Sequence, residues 1–118
     1  MAQFPRRLTT EEKRVMNFLL SPALPGAEEL RDQIPSAMAL REWVENLPSI
    51  DIMVGENCEA AATDASIWPI NAQVVDEEGH PTGLLMLWLD RGRLSALEYA
   101  WYTEVPVELP PNELIILT

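Results

Sequence analysis

Two apolar stretches separated by a short polar break dominate the chain between residues 84 and 102, LLMLWLDRGRLSALEYAWY. The break covers residues 90–93, and its Gly92 can take the positive φ that tight hairpin turns require. Leucine and aromatic residues on both sides favour extended strands. The pattern therefore predicts a central β-hairpin over residues 84–102.

The first third of the chain has apolar residues at helical spacing. Thr9 and Glu12 form a capping-box pattern, after which apolar residues recur three and four positions apart. This predicts a helix over residues 10–20. A second short helix is predicted after Pro25-Gly26, to about Ile34, because prolines stand on both sides of that segment.

The middle and the end of the chain give weaker signals. Residues 37–47 fit helical spacing better than strand alternation. Alternating β-branched residues predict strands at residues 50–54 and 70–75, whereas residues 56–66 have no period and predict a mobile loop. A proline-rich tail then leads to a last apolar segment at residues 114–117.

The length of 118 residues is near the usual size of one domain. We therefore expect a single α+β domain over residues 1–118, with two N-terminal helices packed on one face of an antiparallel sheet of about five strands.

The single Cys58 has no partner for an internal disulfide, which is compatible with a reducing compartment. No apolar leader opens the sequence, and the longest apolar run is too short to span a bilayer. A cytoplasmic location is expected.

The charge is strongly negative and unevenly placed. The chain carries a net charge of −11. Residues 1–50 have six basic and seven acidic side chains, while residues 51–118 have two basic and twelve acidic ones, a net charge of −10. Such a field repels phosphate backbones and anionic lipids, so we expect no nucleic acid and no membrane as partners. A basic protein partner is compatible with it, although acidity also simply keeps an apolar sheet in solution.

Three fragments together resemble a family of small uncharacterised bacterial proteins, most familiar from actinobacteria. They are LRDQ at residues 30–33, PSIDI at residues 48–52 and GRLSALEYAWY at residues 92–102. The resemblance implies two helices followed by an antiparallel sheet, and it favours a strand for residues 37–46. It implies no activity. Relatives often carry cysteines just before the Pro-Ser pair, where this chain has none.

No residue set matches a catalytic or metal-binding motif. Cys58 lies between Glu56 and Glu59, whose negative charges disfavour the thiolate that a nucleophile or metal ligand needs. His80 has no second histidine or cysteine at ligand spacing. We therefore expect no metal, no cofactor and no enzymatic activity.

Two carboxylates interrupt apolar strands and support an alternative function. Asp51 stands in Ile-Asp-Ile and Glu98 in Leu-Glu-Tyr. On neighbouring strands they can act as a general acid and base, which would make the protein a small-molecule binder or a hydrolase-type enzyme. Acids between apolar residues also occur where one face of a sheet meets solvent, or where they pair with arginine.

The aromatic residues give the leading hypothesis. Both sides of the hairpin are apolar, while two short helices can cover only one side. Met86, Trp88, Tyr99 and Trp101 are expected to form an exposed patch suited to partner binding. The patch can be covered by another protein, by a second copy or by the tail over residues 105–117, and a homodimer is expected rather than coverage by the tail. The leading function is a non-enzymatic acidic interaction module that binds a basic protein, in the manner of a small antitoxin or immunity protein.

Overall fold

A computed structural model describes residues 3–106 and 108–118. The described residues form two α-helices and seven strands: α1 Thr10–Leu19, α2 Ala27–Gln33, β1 Arg6–Arg7, β2 Met38–Glu42, β3 Ile50–Met53, β4 Ala72–Val75, β5 Pro81–Asp90, β6 Arg93–Trp101 and β7 Ile115–Leu117. Short 3-10 turns cover Ile34–Ser36 and Asn112–Leu114. The α+β class is confirmed, but the expected number of about five strands is wrong. Strands β1 and β7 have two and three residues, too few to show an alternation in the sequence.

All seven strands lie in one antiparallel sheet with the order β1-β2-β3-β6-β5-β4-β7. The long hairpin β5–β6 is its centre, as the pattern predicts. At the turn, Arg91 and Gly92 have φ values of 53° and 78°. Two successive left-handed residues match the twist of a tight hairpin, which fixes the register of both strands.

Both helices pack on one side of the sheet, which we call the helix face. Apolar residues of α1 and α2 form one buried cluster with alternate residues of the strands, among them Val15, Met16, Leu19, Leu30, Leu85, Leu87 and Leu97. The molecule is 21 Å thick along its shortest axis. That thickness accommodates one layer of helices on one sheet and no further layer.

Helix α1 begins with the predicted capping box and is tied to β1. The Thr9 hydroxyl accepts the Glu12 N–H at 3.1 Å, and the Glu12 carboxylate accepts the Thr9 N–H at 2.8 Å. Both guanidinium NH groups of Arg6 donate to that carboxylate at 2.9 Å. Burial acts to raise the pKa of Glu12, but the hydrogen bonds and the charge of Arg6 outweigh it and lower the pKa below its usual 4.5.

Replacing Glu12 with glutamine is expected to lower the free energy of unfolding at pH 7 by about 2 kcal/mol, because a buried, charge-assisted network is lost. Since the folded pKa is depressed, the contribution of Glu12 is present above the unfolded value of 4.5 and is lost as pH falls through the folded value. Urea titrations of both proteins from pH 7 to pH 3 measure the difference.

The adjacent Glu11→Gln is the control for the Glu12 variant, because Glu11 is exposed and forms a surface ion pair with Arg14 three residues on. It is expected to change stability by less than about 0.5 kcal/mol. The free energies of unfolding of Glu12→Gln and wild type should converge as the pH falls to 3. A constant difference would show that the carboxylate is not the stabilising group.

Residues 37–46 contain a strand, β2, where spacing alone favours a helix. Strand β2 pairs with β3, and its register shifts between Ala39 and Arg41. Leu40 is the extra residue of this bulge and is 40% exposed. The bulge puts two residues opposite one, so the alternation that identifies a strand is interrupted. The observed strand is the element that the family resemblance implies.

The C-terminal tail runs along the helix face and the edge of the sheet. Arg14 of α1 donates a hydrogen bond to the Pro110 carbonyl at 2.9 Å, and Leu109 packs against the core. Strand β7 then pairs with β4 at the edge of the sheet. Residues 109–118 therefore do not cross the opposite face. Val107, which the expected tail also includes, lies outside the described residues.

One buried amide joins α2 to the loop and the hairpin turn. Gln33 is fully buried, and its side chain NH2 donates to the carbonyls of Glu59 and Gly92 at 2.9 and 3.0 Å. Its carbonyl accepts the Leu94 N–H at 3.0 Å. Ala61 also donates its N–H to the Gly92 carbonyl. The loop at residues 56–66, predicted as mobile, is thus anchored at its centre.

Candidate functional site

The sheet has a second side, away from the helices, which we call the open face. Strand β5 alternates between fully buried residues on the helix face and half-buried residues on the open face. The pairing of strands places these residues on the open face: Gln73, Leu84, Met86, Trp88, Ala96, Glu98, Ala100 and Ile116. Its centre is therefore made of leucine, methionine, tryptophan and alanine with one carboxylate.

No helix among residues 3–106 and 108–118 packs on the open face, and the tail from residue 109 onward lies elsewhere. Leu84, Met86 and Trp88 are half-buried by their neighbours alone, and Ile116 at the edge is 47% exposed. Contiguous apolar surface of this kind usually marks an interaction site in a soluble protein. The open face is thus the main candidate for a functional surface.

The four residues expected to form one patch lie on two sides of the sheet. Met86 pairs with Glu98 on the open face, where Trp88 also lies. Tyr99 pairs with Leu85 on the helix face and is only 7% exposed, and this burial raises the pKa of its phenol. Trp101 shares the side of Tyr99. The expected single patch therefore does not exist.

The reason is a shift of register by one residue inside the hairpin, beyond the predicted turn, which the sequence pattern does not reveal. A shift of one residue exchanges the two faces of a strand. The shift is a bulge: Trp88 pairs with Ala96 while Leu89 pairs with Leu94, so Ser95 is an extra residue in β6. This bulge brings Leu94 and Leu97 to the same face, which strict alternation would separate.

The structure brings Asp51 and Glu98 to the same face on neighbouring strands. Asp51 lies opposite Ala96, and Glu98 follows two residues along β6. The Asp51 carboxylate accepts hydrogen bonds from the Arg41 Nε at 2.5 Å and from the Trp43 indole at 2.8 Å. Both of its oxygens are thereby engaged in holding β2 and its loop.

Glu98 is engaged through only one of its oxygens. Its Oε1 accepts a hydrogen bond from the Trp88 indole at 3.0 Å. No donor within the described ranges approaches the other oxygen, Oε2, at hydrogen-bond distance. A half-buried carboxylate with a free oxygen on an apolar face is able to receive a positively charged group.

A cleft of about 320 Å³ lies between residues 43–49 and the end of β6. It forms because the pairing of β3 with β6 ends at Ile50 and Leu97, so the chain before β3 turns away from the sheet. The Ser49 hydroxyl spans the gap by accepting the Tyr99 N–H at 2.9 Å. The end of β6 is therefore open on this side.

Aromatic rings and one acid line the cleft. Trp43 and Leu47 stand on one wall, and Glu98 and Trp101 stand on the other, whereas Asp51 does not line it. Sequence reasoning missed Trp43, because it stood in a segment with no clear element. The signal that was available is a large aromatic residue between two acids, Glu42 and Glu45, shortly before the Pro-Ser pair.

The remaining reactive side chains lie apart from this region. Cys58 is half-buried with its sulfur 3.2 Å from the Ser36 hydroxyl. His80 is exposed in the turn before β5, with its Nδ1 3.4 Å from Asp76 and 3.6 Å from Glu78. Across the described ranges, no group of three or more His, Cys, Asp or Glu side chains is placed to hold a metal ion. No helix in the same ranges has both the length and the hydropathy needed to cross a bilayer.

Comparisons with known proteins assign no function. No protein-family model matches this chain, and no curated protein or solved structure matches it either. Any proposal for the function therefore depends on the open face and the cleft.

Proposed function

We propose that the protein is a non-enzymatic acidic interaction module whose open face binds a basic protein partner, as small antitoxin and immunity proteins bind theirs. The supporting observation is an apolar sheet face that neither the helices nor the tail from residue 109 onward covers. Half-buried Met86 and Trp88 lie at its centre. Tryptophan and methionine are enriched in protein interfaces, because they offer a large contact area.

The charge favours a basic partner over a second copy of the chain. Residues 51–118, which supply β4 to β7 and most of β3, carry a net charge of −10. Asp90 at one end of β5 and Glu104 beyond β6 are both exposed. Two copies would repel each other at long range, whereas a basic protein would be attracted and would associate faster. The homodimer is therefore the less favoured occupant of the open face.

The alternative enzyme that uses Asp51 and Glu98 has less support. The two carboxylates share a face, but Asp51 is bound to Arg41 and Trp43 through both oxygens. The cleft contains Glu98 without Asp51. A general acid and base must both reach one substrate, and this arrangement favours a structural role for Asp51.

Replacing Met86 with lysine is expected to reduce capture of the native partner roughly tenfold, because a charge enters the centre of an apolar interface and opposes a basic protein. The fold tolerates the lysine, since Glu98 lies directly opposite Met86. Tagged wild type and variant are incubated with extract of the native cell at low and moderate salt, and the captured proteins are quantified by mass spectrometry.

Asn17→Lys is the matched control, because it adds the same charge on the exposed side of α1. The proposal is supported if wild type and Asn17→Lys both capture the same basic protein and Met86→Lys does not. A protein captured equally by both lysine variants contradicts it, and so does the absence of any captured protein.

Sedimentation of the purified chain is expected to show a monomer. A dimer that Met86→Lys dissociates would assign the open face to a second copy instead.

A further inference from the structure

The cleft at the end of β6 combines apolar aromatic walls with one carboxylate. Its volume of about 320 Å³ is at the small end of ligand sites, which suits a single side chain better than a cofactor. Glu98 and Ala100 belong both to the cleft and to the open face. A protein lying on the open face would therefore reach the cleft without a change of fold.

The Trp43 ring is held in place before any ligand arrives. Its indole N–H donates to Asp51 at 2.8 Å, and Asp51 is itself held by Arg41. The ring is nevertheless 42% exposed, and Trp101 across the cleft is 37% exposed. A fixed and accessible aromatic surface binds without loss of side-chain freedom, which favours affinity.

The charge within the cleft is negative and uncompensated. Glu98 keeps Oε2 free of donors in the described part of the chain, and none of the described residues that line the cleft is lysine or arginine. A cation near aromatic faces and a carboxylate gains both from the rings and from the acid.

We propose that the cleft receives one arginine side chain of the basic partner. A guanidinium is planar and weakly hydrated, so that it can stack on the indole of Trp43 while it donates to Glu98 Oε2. An ammonium group is more strongly hydrated and does not stack. This assignment rests on the proposed binding of a basic protein and identifies the group that the surface recognises.

The probe is the peptide acetyl-Gly-Arg-Gly-amide, and its matched neutral control has citrulline in place of arginine. Titration is followed by ¹H–¹⁵N NMR of the full chain. We expect saturable shifts of the Trp43 and Trp101 indole signals with a dissociation constant in the millimolar range, as befits one side chain. The citrulline peptide, which has the same shape without the charge, is expected to cause no saturable shift.

Glu98→Gln is expected to weaken binding of the arginine peptide roughly tenfold, since the charge is lost while the bond to Trp88 can still form. Glu104→Gln removes the same charge from a nearby exposed site and is expected to leave the affinity unchanged. Equal binding of both peptides would overturn the assignment. The assignment would also be overturned if the NMR shifts were confined to other acidic segments, such as residues 76–78. Equal effects of the two glutamine variants on the affinity would overturn it as well.

Failure of this assignment can be told apart from failure of the proposed function. The peptide titration uses the wild-type chain without the native partner and therefore measures the cleft alone. The capture experiment measures binding over the open face, which includes Glu98 opposite residue 86. If the arginine peptide leaves the indole signals unchanged while capture still requires Met86, the partner binds the open face without using the cleft. If the peptide binds but no partner is captured, the cleft recognises a cation for a different purpose.

Discussion

Replacing Gly92 with alanine is expected to destabilise the fold by about 4 kcal/mol, the sum of a left-handed backbone cost and a clash. Gly92 has a φ of 78°, and a Cβ atom built there would lie 2.2 Å from the Ala61 carbonyl oxygen. That oxygen belongs to backbone that the Ala61 N–H bond to Gly92 itself holds in place. Neither segment can move without breaking this bond, so the clash is not relieved cheaply.

Gly79→Ala separates the two contributions for Gly92. Gly79 also has a positive φ, 87°, but a Cβ atom there would have no atom within 4 Å. The Gly79→Ala variant is expected to lose only about 1 kcal/mol of the free energy of unfolding, because the left-handed backbone is its single cost. Urea unfolding of both variants measures the two costs. Equal losses of stability would mean that the contact between the hairpin turn and residues 59–61 is not formed in solution.

Replacing Gln33 with leucine is expected to cost about 3 kcal/mol, because the Leu94 N–H and the Glu59 carbonyl lose their partner inside the protein. Leucine is of similar size, so little volume is lost and the effect is one of hydrogen bonding. Gln33 is fully buried and makes three hydrogen bonds to two segments, one to the loop at Glu59 and two to the hairpin at Gly92 and Leu94. Removal of this amide detaches α2 from the hairpin turn and from the loop.

Gln73→Leu is the control for the Gln33 variant, because it makes the same chemical change on the half-buried open face. We expect it to alter the free energy of unfolding by less than about 0.5 kcal/mol. Urea unfolding, together with hydrogen exchange of the Leu94 amide, gives the comparison. Unchanged protection of that amide in Gln33→Leu would contradict the assigned bond.

The elements that the sequence predicted well have strong local signals. Helix α1 carries a capping box at Thr9 and Glu12, and the hairpin carries Gly92 between two long apolar runs. Strands β1 and β7 depend instead on pairing partners distant in the chain, and two or three residues contain no period. In β2, the bulge at Leu40 removes the alternation, so that only the family resemblance indicated a strand.

The candidate site was less predictable because it depends on register and on loop paths. The sequence correctly identified that the hairpin has two apolar faces, but it assigned Tyr99 to the same patch as Met86 and Trp88. Pairing of Leu85 with Tyr99 places this tyrosine in the core. The cleft depends on the departure of residues 43–49 from β6, which leaves no local pattern in the sequence.

The central claim is that a basic protein covers the open face. A photoreactive benzoylphenylalanine placed at Leu84, in the native cell, tests it most directly, because Leu84 is half-buried on that face. The same group at Asn17, on the exposed side of α1, is the control. The proposed function predicts that a basic protein becomes crosslinked from residue 84 and not from residue 17. Crosslinks only to further copies of this chain, or none from residue 84, would contradict it.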